Sequence, residues 1–241
     1  MQNMYVGDIG DYGKFGLMRQ LQNTGLSIGI NWYFTSKEEH NNDGKHTKYL
    51  DEKLFQEYDP SLWDELKKIV DNNNRDIQAL ESSGILQAKY YSEELSFSEK
   101  SKAERKRIRE EWHQNARKFL KNTDIVLVDP DNGIVTSSSK DSGKENKYVT
   151  IPELIDYYTQ GSTVIYYQHK ARRPDRFYID QHAKILSEPW LKDASGLLLK
   201  FCKTSHRFYG FIIQPHHYEI IKDAVDSMLK SLWKELFQLI D

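Results

Sequence analysis

Six residues near the middle of the chain, Asp124-Ile125-Val126-Leu127-Val128-Asp129, constrain the fold more than any others. Every residue between the two aspartates is apolar, so a strand built from them cannot show either face to water. Strands of that kind lie inside parallel sheets covered by helices on both sides. A second such run, Thr163-Val164-Ile165-Tyr166-Tyr167-Gln168, follows it. The residues around them alternate in character. Asp11 is placed to cap a helix over 12–23, and strands are expected at 26–34 and 85–91. Helices are expected at 60–70, 75–82, from Pro152 to Gly161, and at 180–186. A long basic helix is expected over 98–121. Two strands, 196–202 and 208–214, sit close enough to form a hairpin, and a last amphipathic helix is expected over 218–239. The predicted architecture is a single α/β domain over 1–241: a Rossmann-like open sheet, mostly parallel, with an antiparallel C-terminal hairpin and helices on both faces.

At 241 residues, with 38% hydrophobic and 12% aromatic residues, the chain can bury a proper core and is not of disordered composition. A net charge of −2 gives no global pull towards nucleic acid, so any such surface must be local. The lone Cys202 sits beside an apolar run and reads as packing rather than as a nucleophile. No run approaches the roughly 18 apolar residues of a membrane span. With no signal-like N-terminus, a cytoplasmic location without membrane attachment is expected.

In open α/β sheets the ligand lies beyond the carboxyl ends of the strands. The chain has chemistry at those ends. Asp129-Pro130-Asp131-Asn132-Gly133 offers two carboxylates and a carboxamide able to hold a proton, a metal or an amine. It would also serve as a tight turn with no chemistry. His169 follows the second buried strand as a possible base. Gln168, Lys170, Arg172 and Arg173 around it are candidates for holding phosphates or substrate. Gly7-Asp8-Ile9-Gly10-Asp11-Tyr12-Gly13-Lys14-Phe15-Gly16 has a glycine every third residue, which would let backbone N–H groups approach a ligand. Asp8, Gly10, Asp11 and Lys14 are its candidate cofactor contacts, although a glycine-softened helix start explains the same pattern. Asp43 and His46, with Glu38, Glu39 and His40 before them, put histidine beside acids as a metal site, a base or a substrate contact would, and a solvated loop explains them equally well. The basic helix, with Lys106, Arg109 and Trp112, is the natural nucleic-acid footprint, or simply a solvated face.

The Asp129-Pro130-Asp131-Asn132 strand end resembles the Asp-Pro-Pro-Tyr motif of class I S-adenosylmethionine-dependent methyltransferases, in particular bacterial adenine-N6 RNA and DNA methyltransferases. The hairpin over 196–214 resembles the antiparallel edge of that family's sheet, and 7–16 resembles its cofactor segment. Asp131 and Asn132 stand where the family has a second proline and an aromatic, so the aromatic stacking platform is not in the motif. The resemblance implies an enzyme using S-adenosylmethionine on nucleic acid, with Asp129 and Asn132 gripping the target amine. Two other readings fit the residues. One is a metal-dependent nuclease or phosphohydrolase, with Asp129 and Asp131 on Mg²⁺ or Mn²⁺ and His169 or Lys170 aiding the water. The other is a non-enzymatic binding protein on an enzyme-like fold.

Overall fold

The computed structural model describes residues 1–36, 44–136, 143–204 and 206–240. In chain order the elements are α1 (Ile9–Gln22), β1 (Ile28–Asn31), α2 (Lys53–Gln56), α3 (Pro60–Asp71), α4 (Ile77–Ser82), β2 (Ala88–Tyr91), α5 (Lys102–Phe119), β3 (Ile125–Val128), β4 (Gly133–Ile134), β5 (Tyr148–Val149), α6 (Ile151–Thr159), β6 (Thr163–His169), α7 (Asp175–Leu186), β7 (Ser195–Phe201), β8 (Arg207–Ile213), α8 (Tyr218–Lys230) and β9 (Phe237–Leu239).

Seven strands form one sheet in the order β2-β1-β3-β6-β8-β7-β9, and β4 and β5 form a two-stranded ribbon. β2, β1, β3 and β6 are parallel. β8 runs against both its neighbours, β6 and β7. The expected α/β class, with a mostly parallel sheet and an antiparallel C-terminal hairpin, is what the structure has.

β3 lies inside the sheet, and its side chains divide between two cores. Ile125 and Leu127 join the core under α1, α3, α4 and α8. Val126 and Val128 join the core under α5, α6 and α7. This two-sided burial is why the strand had to be apolar at every position. The chain leaves β1 for β2 through helices on the first face, then returns past β1 to β3 through α5 on the second. A reversal of direction joined to a change of face is what a fixed crossover hand requires.

Three expectations are corrected. α1 begins at Ile9, and its N-cap is Asp8, whose side chain accepts from the backbone of Gly10 and Asp11. Of the two readings of the glycine-rich segment, the structure has the helix start, opening at Ile9, three residues earlier than expected. Its glycines permit close packing: a Cβ on Gly10 would overlap the Arg207 guanidinium, on Gly13 the Phe201 ring, and on Gly16 the Trp233 ring. The last helix ends at Lys230, where Ser231 caps a short 3-10 turn that drives Trp233 into the core. The residues after it pair with β7 as an edge strand instead of continuing as helix. The basic helix is shorter than expected, starting at Lys102 behind a Ser101–Glu104 capping box.

An exposed helical Gly→Ala substitution stabilises by about 0.5–1 kcal/mol. Gly16→Ala is expected to do the opposite, losing about 1–3 kcal/mol through overpacking against buried Trp233. Urea denaturation of the two proteins measures the sign.

Candidate functional site

The sheet order sets where a ligand can lie. From β1 the chain steps outward to β2, then crosses back to β3 on the other side of β1. Crevices at such reversals, outside the carboxyl ends of the strands, are the ligand sites of open α/β sheets. A cavity of about 330 Å³ opens at that edge, within the range of small-molecule sites. The end of β3 (Asp129 to Asn132), the end of β6 (Tyr167, His169), the start of β8 (Arg207) and the first turn of α1 wall it.

Asp8, Asp11, Lys14 and Asp129 meet in this one cavity. The Lys14 ammonium donates to Asp11 Oδ1 at 2.8 Å and to Asp129 Oδ2 at 2.7 Å, with all three side chains at most 5% exposed. Burial works to strip the lysine of its proton, but the two carboxylates outweigh it and hold the Lys14 pKa above the ordinary value. The other Asp11 oxygen accepts the Gly7 N–H at 3.1 Å. Burial, with Asp8 and Asp129 adding repulsion against the pull of Lys14, pushes the Asp11 carboxyl up to about 6.

Asp8 turns its second oxygen to the Arg207 guanidinium at 3.5 Å. Burial works against the Arg207 charge, yet Tyr167 and Asp8 hold its pKa above the usual arginine value. Burial also pushes the Tyr167 hydroxyl up to about 12, so it is a neutral phenol at physiological pH. At the end of β1, Tyr33 takes a left-handed backbone (φ 47°), and Asn31 Oδ1 accepts its N–H. The Met1 ammonium donates to the carbonyls of Trp32 (2.7 Å), Tyr33 (3.1 Å) and Asp129 (3.2 Å), tying the ends of β1 and β3 together. It lies 3.0 Å from Asp131 Oδ1, with Lys147 4.0 Å from Oδ2. Those charges are close but not in hydrogen-bonding geometry, and both Asp131 oxygens are buried without a hydrogen bond.

The residues expected to act at the site divide into three groups. Asp8, Gly10, Asp11, Lys14, His46, Asp129, Asp131, Asn132 and His169 line the cavity. Gln168 lies beneath it as a brace: it accepts the Ile134 N–H at 2.8 Å and donates to the carbonyls of Asn132 (3.1 Å) and His169 (2.8 Å). Its carboxamide is thereby committed to holding the strand-end turn, in which Gly133 adopts φ 98° directly over it. The remaining cations stand elsewhere. Lys170 pairs with Asp175 at 3.4 Å, and Arg172 and Arg173 are exposed on the segment after β6. Lys106 is exposed beside Glu110. Arg109, expected to hold phosphate, is built into the fold. Its guanidinium grips Glu153 with two hydrogen bonds of 2.7 Å and reaches the carbonyls of Glu145 and Tyr148. Burial opposes the Glu153 charge, but Arg109 outweighs it and holds that carboxyl below its usual range. Asp43, with Glu38, Glu39 and His40, lies outside the described residues.

Sequence reasoning missed Tyr5, Tyr167 and Arg207 as cavity walls. A signal for Arg207 was present. The antiparallel pairing of β8 with β6 sets it opposite His169, and a hairpin strand packed beside β6 in that direction has to start at the carboxyl end of β6. Among the described residues no group of three or more His, Cys, Asp or Glu side chains converges as a metal centre would require. No described helix is long and apolar enough to cross a membrane.

Because the folded Asp11 pKa lies above its ordinary 3.8, the native state holds a proton that the unfolded chain has released, and stability falls as pH rises from about 4 to about 6. Asp11→Asn removes this dependence. The melting temperature of the variant minus that of the parent is expected to climb across that interval and to level off above it. A flat difference in calorimetry from pH 4 to pH 7 would show that Asp11 titrates normally.

No family model and no curated protein matches the chain. Among solved structures, one that aligns with it is the crystal structure of protein LPL1258 from Legionella pneumophila str. Philadelphia 1, described by the family designation DUF519. The two are 8% identical with a TM-score of 0.43, over 98% of this chain and 96% of that one.

Proposed function

We propose that the protein is a methyltransferase-like enzyme that acts on an amino group of nucleic acid, with Asp129 as the residue that receives the amine. The observation that carries this reading is the Asp129 carboxylate, held at the reversal point of the sheet. One oxygen is pinned by the buried Lys14 ammonium at 2.7 Å, and the residue lines the cavity. A carboxylate so held can accept an N–H of a target amine, orient the nitrogen lone pair, and draw off the proton as the nitrogen becomes alkylated. Asn132, beside it on the cavity wall, offers a carboxamide to the same amine. Lys14 acts through Asp129, fixing its rotamer by the 2.7 Å contact.

The closing hairpin supports the family resemblance, since β8 is a reversed strand set between two, β6 and β7, that run the other way. The donor set fits an S-adenosylmethionine-type cofactor. Asp131 lines the same cavity with two buried oxygens outside hydrogen-bonding geometry, and the Met1 ammonium 3.0 Å from one of them is the cation a ligand's hydroxyls would share it with. Bound there, such a cofactor would supply an electrophilic methyl group. Asp8, Asp11 and Lys14, by contrast, bond to one another and to the backbone, and so shape the wall rather than reach for the ligand. The metal-dependent reading has less support, because Asp129 gives one oxygen to Lys14 and, among the described residues, no third His, Cys, Asp or Glu converges with Asp129 and Asp131.

A thermal-shift titration with S-adenosylhomocysteine, with and without Mn²⁺, tests the reading. At 100-fold over its dissociation constant a ligand adds about 2.7 kcal/mol, or roughly 5–10 °C for a domain of this size. A shift with S-adenosylhomocysteine alone is expected, and a shift with Mn²⁺ alone would sink the proposal. Asp129→Asn is expected to keep that shift and to lose at least about 100-fold in methyl transfer to RNA or DNA oligonucleotides.

A further inference from the structure

The segment leaving the cavity, from Lys170 to the first turn of α7, carries three arginines and an exposed aromatic ring. His169 lines the cavity, and Arg172, Arg173, Arg176 and Phe177 follow it on the surface. Their partners distinguish them from the cations of α5. Lys170 pairs with Asp175, and Arg176 pairs with Asp180 at 2.8 Å. Arg172 and Arg173 make no ion pair among the described residues, and the Arg173 guanidinium lies 5.6 Å from the centre of the Phe177 ring. Phe177 is 40% exposed, yet it is not a loose side chain. Its ring stands edge-on to Tyr178 at 5.2 Å, and Tyr178 stacks on buried Phe208 at 4.6 Å. A large apolar ring kept in water on a rigid mount, beside two unpaired guanidiniums, has the composition of a single-strand platform: π-face for a base, cations for the flanking phosphates.

The α5 cations are mostly spent. Arg109 is committed to Glu153, Arg117 lies 3.8 Å from Asp156, Arg105 lies 3.9 Å from Glu145, and Lys106 pairs with Glu110. Glu104, Glu110 and Glu111 break up what remains. None of that helix lines the cavity.

We infer that the rim formed by Arg172, Arg173 and Phe177 is the docking surface for single-stranded nucleic acid, and that α5 is not. The inference rests on the reading of the cavity as a site for a nucleic-acid amine, and it names the strand's seat. A cavity of about 330 Å³ at the sheet edge is on the scale of a small molecule and not of a duplex. A target must therefore be unpaired or flipped out, leaving a neighbouring base to be stacked beside the mouth. Arg172, Arg173 and Phe177 follow the wall residue His169 by three, four and eight positions in the chain, on the segment that leaves the end of β6.

Fluorescence anisotropy with labelled 12-nucleotide single strands of RNA and of DNA, against a duplex of the same sequence, tests this on the full chain. The single strand is expected to bind more tightly than the duplex. Arg172→Gln with Arg173→Gln is expected to weaken binding at least about 10-fold and to flatten the log–log salt slope by about 1.4, two phosphate contacts' worth. Phe177→Ala is expected to cost about 5- to 100-fold. Arg107→Gln with Lys118→Gln on α5 is the control and is expected to leave binding unchanged. Equal affinity and slope in the rim variants, an equal loss in the α5 control, or no binding by the parent protein would overturn the inference. Melting curves of each variant separate these outcomes from unfolding. Rim-dependent binding without methyl transfer would leave the docking surface standing and remove the methyltransferase reading; transfer that ignores the rim variants would do the reverse.

Discussion

The structure depends on an ammonium group shut away from water. Lys14 sits in α1 with its charged end buried at the carboxyl edge of the sheet, a position tolerable only because Asp11 and Asp129 flank it. One of those carboxylates belongs to its own helix and the other to the central strand. The pair therefore fixes the register of α1 on β3 and at the same time aims the residue that the proposed chemistry uses. Removing Lys14 would leave two buried carboxylates facing each other, whereas removing either carboxylate leaves the lysine one partner, so the fold depends most on the cation and the proposed chemistry on Asp129.

The same economy governs the neighbouring groups. Gln168 holds the Asp129–Asn132 turn through both ends of its amide, and Gly133 closes over it in a backbone form that a side chain would strain. Asp131 departs from this pattern: its buried oxygens find no hydrogen bond among the described residues, although the Met1 ammonium lies 3.0 Å away, and the Tyr209 hydroxyl is likewise without one. Buried polar atoms are ordinarily satisfied, and those that are not point to a role beyond packing.

Much of this was legible in the sequence, and the failures have physical causes. β3 was readable because a strand without a polar residue has only one place to go, and the hairpin because two apolar runs stood a few residues apart. The end of β3 could then be picked out as a site from topology alone. The start of α1 could not. A glycine at every third position fits a ligand-admitting turn and a glycine-softened helix start equally well when backbone freedom is considered by itself. Only the rings of Phe201 and Trp233, distant in sequence, reveal that the glycines make room for close approach. Charges were harder still. Arg109 and Arg172 are the same residue type in segments of similar composition, yet one is sealed against Glu153 and the other faces solvent. Local sequence does not record which carboxylate a fold will bring to which guanidinium.

The glycine stripe of α1 also bears on how the chain reaches this state. Three glycines within a helix of 14 residues leave little intrinsic helicity, so α1 has to be recruited by the surfaces that fill its gaps. Those surfaces are the hairpin strands and the turn carrying Trp233, which lie in the last fifth of the chain. The helix nearest the beginning therefore has to wait for elements near the end. Until they arrive, Asp8, Asp11 and Lys14 have no fixed positions, and the cavity has no wall on that side. A partly folded chain could hold an ordered parallel sheet and still lack its site, which ties any function of the cavity to completion of the whole fold.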